Sequence, residues 1–335
     1  MVAQDGHKKI LLDPNRKTIS DFVFVSHAHT DHLHRTNNED TRSVTLTSKE
    51  TFLIANERGY SLGDIAEEHP GFELLHSGHI LGSKGLLIDN ELYYTGDLST
   101  RSRSFMRPAI LPHADTLIIE STFGRPEYVF PEISSLVQLV NKIISECYDR
   151  GIPVVLMGYQ LGKAQLLTQL FEHWEPMYVY DSVHRINSVY RALGVKLKES
   201  STFLDAERKG KIRKGLPWLL IAPLMNHKNK FIRSLKDRYN AITIGFSGWA
   251  INKRYKFMMG LDYALPMSDH CDFRELLIVV EKVQPKKVYT FHGFAVEFAT
   301  TLNAMGFEAF ALQKATNQKR SSSSHVKNSK LDPFL

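Results

Sequence analysis

Apolar residues in this chain come first in short, strand-length runs and later in longer runs with helical spacing. That change of rhythm divides the chain. Up to Glu120 the short runs are residues 9–12, 22–25, 44–47, 86–89 and 116–119. Gly, Pro, Asp, Asn or Ser flank them, as expected of strands joined by turns. Beyond Glu120 a period near 3.6 alternates with short apolar runs. Residues 132–148 read as a helix, 153–157 as a strand, 163–171 as a helix, 177–180 as a strand, 184–193 as a helix and 218–221 as a strand. Such alternation predicts a small α/β unit with parallel strands. After His270, a helix over 272–283, a strand over 287–291 and one further helix follow. Ser268 reads as the cap before that first helix. The simplest arrangement is a discontinuous first domain, interrupted between Glu120 and His270, with a cleft at the junction. No internal repeat is visible.

The segment Ser26-His27-Ala28-His29-Thr30-Asp31-His32 directly follows the apolar run 22–25. It crowds four metal-ligand side chains onto the turn leaving a strand. Imidazole with carboxylate suits zinc, or manganese as a second choice. One tetrahedral ion cannot easily use all four groups from so short a loop, whereas two adjacent ions can. Further candidates occur in similar settings. His79 lies in Ser77-Gly78-His79, Asp97 in Gly96-Asp97-Leu98, and His292 in Phe291-His292-Gly293. Each follows an apolar run and adjoins glycine.

These motifs resemble the metallo-β-lactamase superfamily, in its nucleic-acid-processing β-CASP branch. Glu120 in Ile119-Glu120-Ser121-Thr122, His270 in Ser268-Asp269-His270-Cys271-Asp272, and His292 match that branch in order and context. The likeness runs from about residue 9 to about residue 312. Locally it is closest to ligase-associated DNA exonucleases and archaeal 3′-end-processing-factor-like exonucleases. It implies an αββα sandwich with an inserted small α/β cap. The first domain would comprise residues 1–125 and 261–312, the cap 126–260, and a basic tail 313–335. The resemblance also implies that His27, His29 and His79 hold one divalent ion, that Asp31, His32 and His292 hold the other, and that Asp97 bridges them. Asp13 would support the ligands from behind.

The implied reaction is hydrolysis of a phosphodiester. Two ions can activate a hydroxide and neutralise the phosphoryl oxygens during in-line attack, with Asp31 among the catalytic carboxylates. His270 would protonate the leaving oxygen and Glu120 would stabilise the imidazolium. By residue type alone, Glu120 equally suits a turn cap and His270 a residue at a helix start. Gly158 to Gln165 follows a strand and opens a helix, which makes Lys163 a candidate phosphate contact, with Ser268 as a second. Such turns also carry glycine and lysine for structural reasons.

Composition narrows the function classes. With 335 residues, 43% of them hydrophobic, the chain can bury a substantial core. No apolar run approaches the roughly 18 residues that a bilayer span requires. The start lacks a secretory-leader pattern, and the two cysteines, Cys147 and Cys271, do not suggest a disulfide framework. The expected location is therefore cytoplasmic. The net charge of +6 is uneven: residues 205–238 carry ten Lys or Arg against three Asp or Glu, and residues 314–335 carry five against one. This concentration suits a polyanionic partner, although a solvated face would have the same composition. The tail ends in Asn328-Ser329-Lys330-Leu331-Asp332-Pro333-Phe334-Leu335. With Leu331, Phe334 and Leu335 as anchors it resembles a sliding-clamp-binding box, but Asn328 replaces the usual glutamine. The leading expectation is a DNA exonuclease in repair or replication. The alternatives are an RNA nuclease in 3′-end processing or decay, and a clamp-associated scaffold with a vestigial metal site.

Overall fold

The computed structural model of the protein describes residues 1–5, 8–14, 19–33 and 43–312. The chain begins with β1 (Val2–Asp5), β2 (Lys8–Leu12), β3 (Phe22–Phe24), β4 (Val44–Leu46), α1 (Lys49–Glu57) and β5 (Ile65–Ala66). It continues with β6 (Phe72–His76), β7 (Lys84–Ile88), β8 (Leu92–Tyr94) and β9 (Thr116–Glu120). The insertion then runs through α2 (Ile133–Tyr148), β10 (Val154–Gly158), α3 (Lys163–Leu170), β11 (Met177–Val179), α4 (Asp181–Ala192) and α5 (Phe203–Arg208). It goes on through β12 (Leu219–Pro223), α6 (Lys230–Tyr239), β13 (Ile242–Phe246), a 3-10 turn (Gly248–Ile251), α7 (Arg254–Met259) and β14 (Tyr263–Leu265). The last elements are α8 (Phe273–Val283), β15 (Lys287–Phe291), α9 (Ala295–Ala304) and β16 (Glu308–Ala311).

Side-chain alternation along the strands builds the first domain. Its two sheets have the orders β1-β2-β3-β4-β5 and β16-β15-β9-β8-β7-β6. Ile10, Leu12, Phe22 and Phe24 leave one face of the first sheet and meet Leu86, Ile88, Tyr94, Ile118 and Phe291 of the second in a shared core. The alternate residues Leu11, Val23 and Val25 point the other way and pack with Ile54 and Ala55 of α1. Behind the second sheet, α8 and α9 bury Leu276, Val279, Phe298 and Leu302 against Leu87, Tyr93, Leu117 and Val288. The result is an αββα sandwich.

The insertion holds a parallel sheet in the order β11-β12-β10-β13-β14. Its central strand β10 is buried throughout, which is why it reads as an unbroken apolar run. α2 and α3 cover one face, and α5, α6 and α7 cover the other. β14 pairs with β13, Tyr263 opposite Ile244, so the inserted sheet extends past residue 260. Two apolar contacts dock the insertion on the first domain. Ile186 and Tyr190 of α4 join the core beneath α1, and the Trp249 ring lies 4.9 Å from that of Phe123. Asp272, not Ser268, caps α8, in a reciprocal capping box with Glu275. Among the described residues no helix is long and apolar enough to cross a membrane. The clamp-like box with Leu331, Phe334 and Leu335 lies outside the described residues.

Candidate metal centre

The candidate ligands converge because most follow the ends of strands that share an edge. β8, β9 and β15 are mutually parallel, and Asp97, Glu120 and His292 stand at or just beyond their C-terminal ends. The turn after β3 brings His27, His29, Asp31 and His32. The turn between β6 and β7 brings His79, and the return from the insertion brings His270. Ligand sites in α/β sheets form at such carboxyl ends. Gly96 permits the closest approach: it has φ +54°, and a Cβ there would lie 2.6 Å from Ser26 Cβ. His292 has φ +61°, a left-handed conformation that a non-glycine residue adopts only when its surroundings enforce it.

Two donor sets share Asp97. In one, His29 Nδ1 lies 3.0 Å from His27 Nε2 and 3.1 Å from His79 Nε2. Those two Nε2 atoms lie 3.5 and 3.6 Å from Asp97 Oδ2. Four donors at about 2.0–2.1 Å from one tetrahedral ion would stand about 3.3–3.4 Å apart, so this spacing fits a zinc-sized centre. In the other set, His32 Nε2 lies 3.5 Å from Asp97 Oδ2 and His292 Nδ1 lies 3.8 Å from Asp97 Oδ1. Among the described residues, His32 Nε2 and Asp97 Oδ1 are buried with no hydrogen-bond partner. A cation would satisfy both, so the residues present fit bound metal. Asp31 stands at the rim, its side chain 68% exposed and its Oδ2 3.7 Å from His32 Nε2.

The opposite ring nitrogens are held from behind. His79 Nδ1 donates to the Asp269 carbonyl (3.0 Å) and His29 Nε2 to the Leu161 carbonyl of the insertion (3.2 Å). His32 Nδ1 donates to Asp13 Oδ2 (2.8 Å). His27 Nδ1 donates to Ser26 Oγ (2.9 Å), which donates to the same Asp13 oxygen, as does Tyr94 Oη. Such partners fix the tautomer and aim the free nitrogen inward. Burial pushes His27 and His79 well below the ordinary histidine range, so both are neutral donors. Burial also opposes charge on His32, but the Asp97 and Asp13 carboxylates override it and raise that ring to about 10. Burial disfavours a charged Asp97, yet the His32 and His270 charges hold its carboxyl well below the usual range.

His270 adjoins this cluster without the same surroundings. Its Nδ1 donates to Glu120 Oε1 (2.8 Å), and its Nε2 lies 4.0 Å from Asp97 Oδ2. Burial works against protonation, but Glu120 and Asp97 hold the ring up at about 9. The carboxylate of Glu120 also accepts from the amides of Leu98 (3.0 Å) and Thr122 (3.1 Å). Glu120 thus fixes the local turn and orients His270 together.

Lys163 does not offer a free ammonium to a phosphate. It is buried, and its Nζ donates to the Met267 carbonyl (2.9 Å) and pairs with Asp269 Oδ2 (3.0 Å). The other Asp269 oxygen accepts from Arg103 Nη1 (2.8 Å), while Arg103 Nη2 donates to the Gly78 and His79 carbonyls. This Arg103–Asp269–Lys163 network ties the His79 turn, the start of α3 and the approach to His270 together. Residue reading missed Arg103 and Asp269. The only sequence signal for Asp269 is its place beside His270. Ser268 Oγ accepts from the His270 amide (3.0 Å). Cys271 lies in the core behind the second sheet, where burial pushes its thiol well up.

No protein-family model matches the chain. A protein of Opitutus terrae named "Probable DNA ligase" is 34% identical over 303 residues, spanning 86% of this chain and 28% of that protein. The "RNase J-like protein" of Methanocaldococcus jannaschii is 24% identical over 363 residues, spanning 84% of each. The "Transcription termination factor FttA" of the same organism is 32% identical over 194 residues, spanning 45% of this chain and 31% of that protein. The chain therefore spans less than a third of two of these relatives. Among solved structures, a protein of unknown function from Enterococcus faecalis V583 shares the fold, with a TM-score of 0.55 at 16% identity over 88% of this chain and 79% of that one.

Proposed function

The chain belongs to the β-CASP branch of the metallo-β-lactamase superfamily, and from that premise we propose that it is a metal-dependent phosphodiester hydrolase, specifically a DNA exonuclease of repair or replication. The observation that carries this reading is the pair of donor sets sharing Asp97 beside the His270–Glu120 pair. His27, His29, His79 and Asp97 would hold one ion, and Asp97, Asp31, His32 and His292 the second. Zinc or manganese there would neutralise the phosphoryl oxygens and lower the pKa of water for in-line attack.

The remaining steps belong to the protein's own side chains. The Glu120 carboxylate favours a proton on His270, and with Nδ1 bonded to Glu120 only Nε2 is free to deliver it. Transfer of that proton to the leaving oxygen as the P–O bond breaks yields an alcohol and a neutral ring, which solvent then reprotonates. Glu120 stabilises the charged ring and fixes its tautomer. The buried ligands exclude bulk water from behind, and the exposed edge near Asp31 leaves an approach for substrate.

DNA is favoured because the Opitutus relative carries this unit within a longer protein named a probable ligase, and a nuclease joined to a strand-sealing enzyme would trim DNA ends. The second reading, an RNA nuclease, draws on the mutual 84% span shared with the RNase J-like protein. A scaffold with a vestigial site fits poorly with so full a donor set. The test is incubation of the protein, with zinc or manganese, with single- and double-stranded DNA and RNA labelled at either end, using Asp97→Asn as the contamination control. Stepwise shortening of DNA, absent from the variant, is the expected result. Cleavage confined to RNA would replace the DNA reading, and no cleavage of any substrate would remove the nuclease reading.

A further inference from the structure

Away from the metal centre, α7 carries two adjacent apolar side chains in water. Phe257 is 77% exposed and Met258 65%, while Tyr255 is the helix's buried residue. These side chains do nothing for the core, and their setting is cationic. Lys253 and Arg254, both exposed, lead into the helix. Lys256 Nζ lies 5.9 Å from the Phe257 ring and 5.8 Å from that of Tyr263, which is itself 41% exposed. No Asp or Glu occurs between Arg238 and Leu261.

The far end of α7 meets the basic segment noted in the sequence. The His227 amide donates to the Met259 carbonyl (2.9 Å), and a Cβ at Gly260 would lie 2.4 Å from His227 Nδ1. The loop bearing exposed Lys228, which leads into exposed Lys230 at the start of α6, therefore abuts the helix. Lys228, Lys230, Lys253 and Arg254 form no ion pair among the described residues, so their charge is available to a partner. The near end of α7 follows closely on the 3-10 turn whose Trp249 packs on Phe123, and Phe123 lies 5.9 Å from the His270 ring. The surface thus starts beside the wall of the candidate site and runs out along the insertion.

We propose that α7, the loop 226–229 and the first residue of α6 form a binding surface for single-stranded polynucleotide, with Phe257 stacking and Met258 packing on bases and Lys228, Lys230, Lys253 and Arg254 facing phosphates. The combination selects the occupant. A duplex offers phosphates but keeps its base faces covered, and a neutral apolar protein patch would not call for four cations. The surface would hold the strand outside the metal centre, so the assignment deepens the nuclease reading and rests on it.

The test uses the full chain with two double variants, Phe257→Ala/Met258→Ala and Lys253→Ala/Arg254→Ala. Fluorescence anisotropy in an Asp97→Asn background would measure binding of a labelled single strand of about 20 nucleotides and of the matching duplex. Turnover of the strand and of bis(p-nitrophenyl) phosphate would be measured in the active background. Stacking of about 1–3 kcal/mol per base predicts a roughly fivefold or larger rise in Kd and KM for the strand in the apolar variant. Duplex binding, kcat and hydrolysis of the small diester should be unchanged. The basic variant should lose affinity with a shallower salt dependence. Wild-type affinity for the strand in both variants would overturn the assignment and leave the surface to a protein partner, and equal losses on strand and duplex would overturn the stacking role. If the wild type binds strand through α7 but cleaves nothing, the surface stands and the nuclease reading falls.

Discussion

Asp97 is the residue on which the candidate centre turns, since its two oxygens lie between His27, His32 and His79 on one side and His292 on the other. Asp97→Asn removes the shared negative charge while keeping the shape. Cleavage should fall by about a thousandfold or more, with loss of bound metal, in single-turnover assays beside elemental analysis. Glu120→Gln should act differently. The Glu120 carboxylate helps hold His270 up at about 9, so losing its charge lowers the pH at which His270 gives up its proton. The alkaline limb of the pH–rate profile should move down by about one unit or more, while metal content stays put. An unmoved limb would remove His270 from the proton transfer. The crowded motif from His27 to His32 stood out because four candidate ligand side chains share one turn. Arg103 was not, because its partner Asp269 stands 166 positions away and only the folded chain makes them neighbours.

Elements differ in how plainly they can be read, in part through burial, although buried β13 did not register. β10 and β15 are largely enclosed and present apolar runs, so they were found almost to their ends. β6, with mixed exposure, and the three-residue β8 gave too weak an alternation to register. α6 was hidden differently: Ile232, Leu235 and Tyr239 form its buried stripe, but its charged residues made the segment read as a basic run. Lys163 was misread because a lysine after a glycine turn looks like an anion contact, whereas here a buried carboxylate claims it. That network yields a prediction at the scale of elements. Asp269→Asn leaves Arg103 and Lys163 buried without their counter-charge, and should cost about 3–5 kcal/mol in urea unfolding. Replacing all three with apolar residues of similar volume should recover much of that loss. A change under about 1 kcal/mol for the single variant would show that the network is not a junction bolt.

At the scale of the whole molecule, the insertion and the sandwich meet at the candidate metal centre, where the Leu161 carbonyl of the insertion holds His29 of the sandwich. Stripping the metal should therefore loosen the junction as well as stop cleavage. The melting temperature should drop by several degrees on chelation and return with zinc or manganese, as expected when a ligand binds only the folded state. Metal uptake near neutral pH should also release protons, because His32 at about 10 holds a proton where the cation would sit. Calorimetry in buffers of different ionisation enthalpy would detect that release. The alternation of helix and strand after Glu120 was legible from rhythm, but three-residue β14 was not, because it shows itself only by pairing with β13. The most direct test of the central claim is elemental analysis of the purified protein and of Asp97→Asn after identical dialysis, with phosphodiester hydrolysis measured on the same samples. Two bound divalent ions per chain in the active protein, with both ions and hydrolysis lost from the variant, is the expected result. Full hydrolysis by protein holding less than one ion per chain would contradict it.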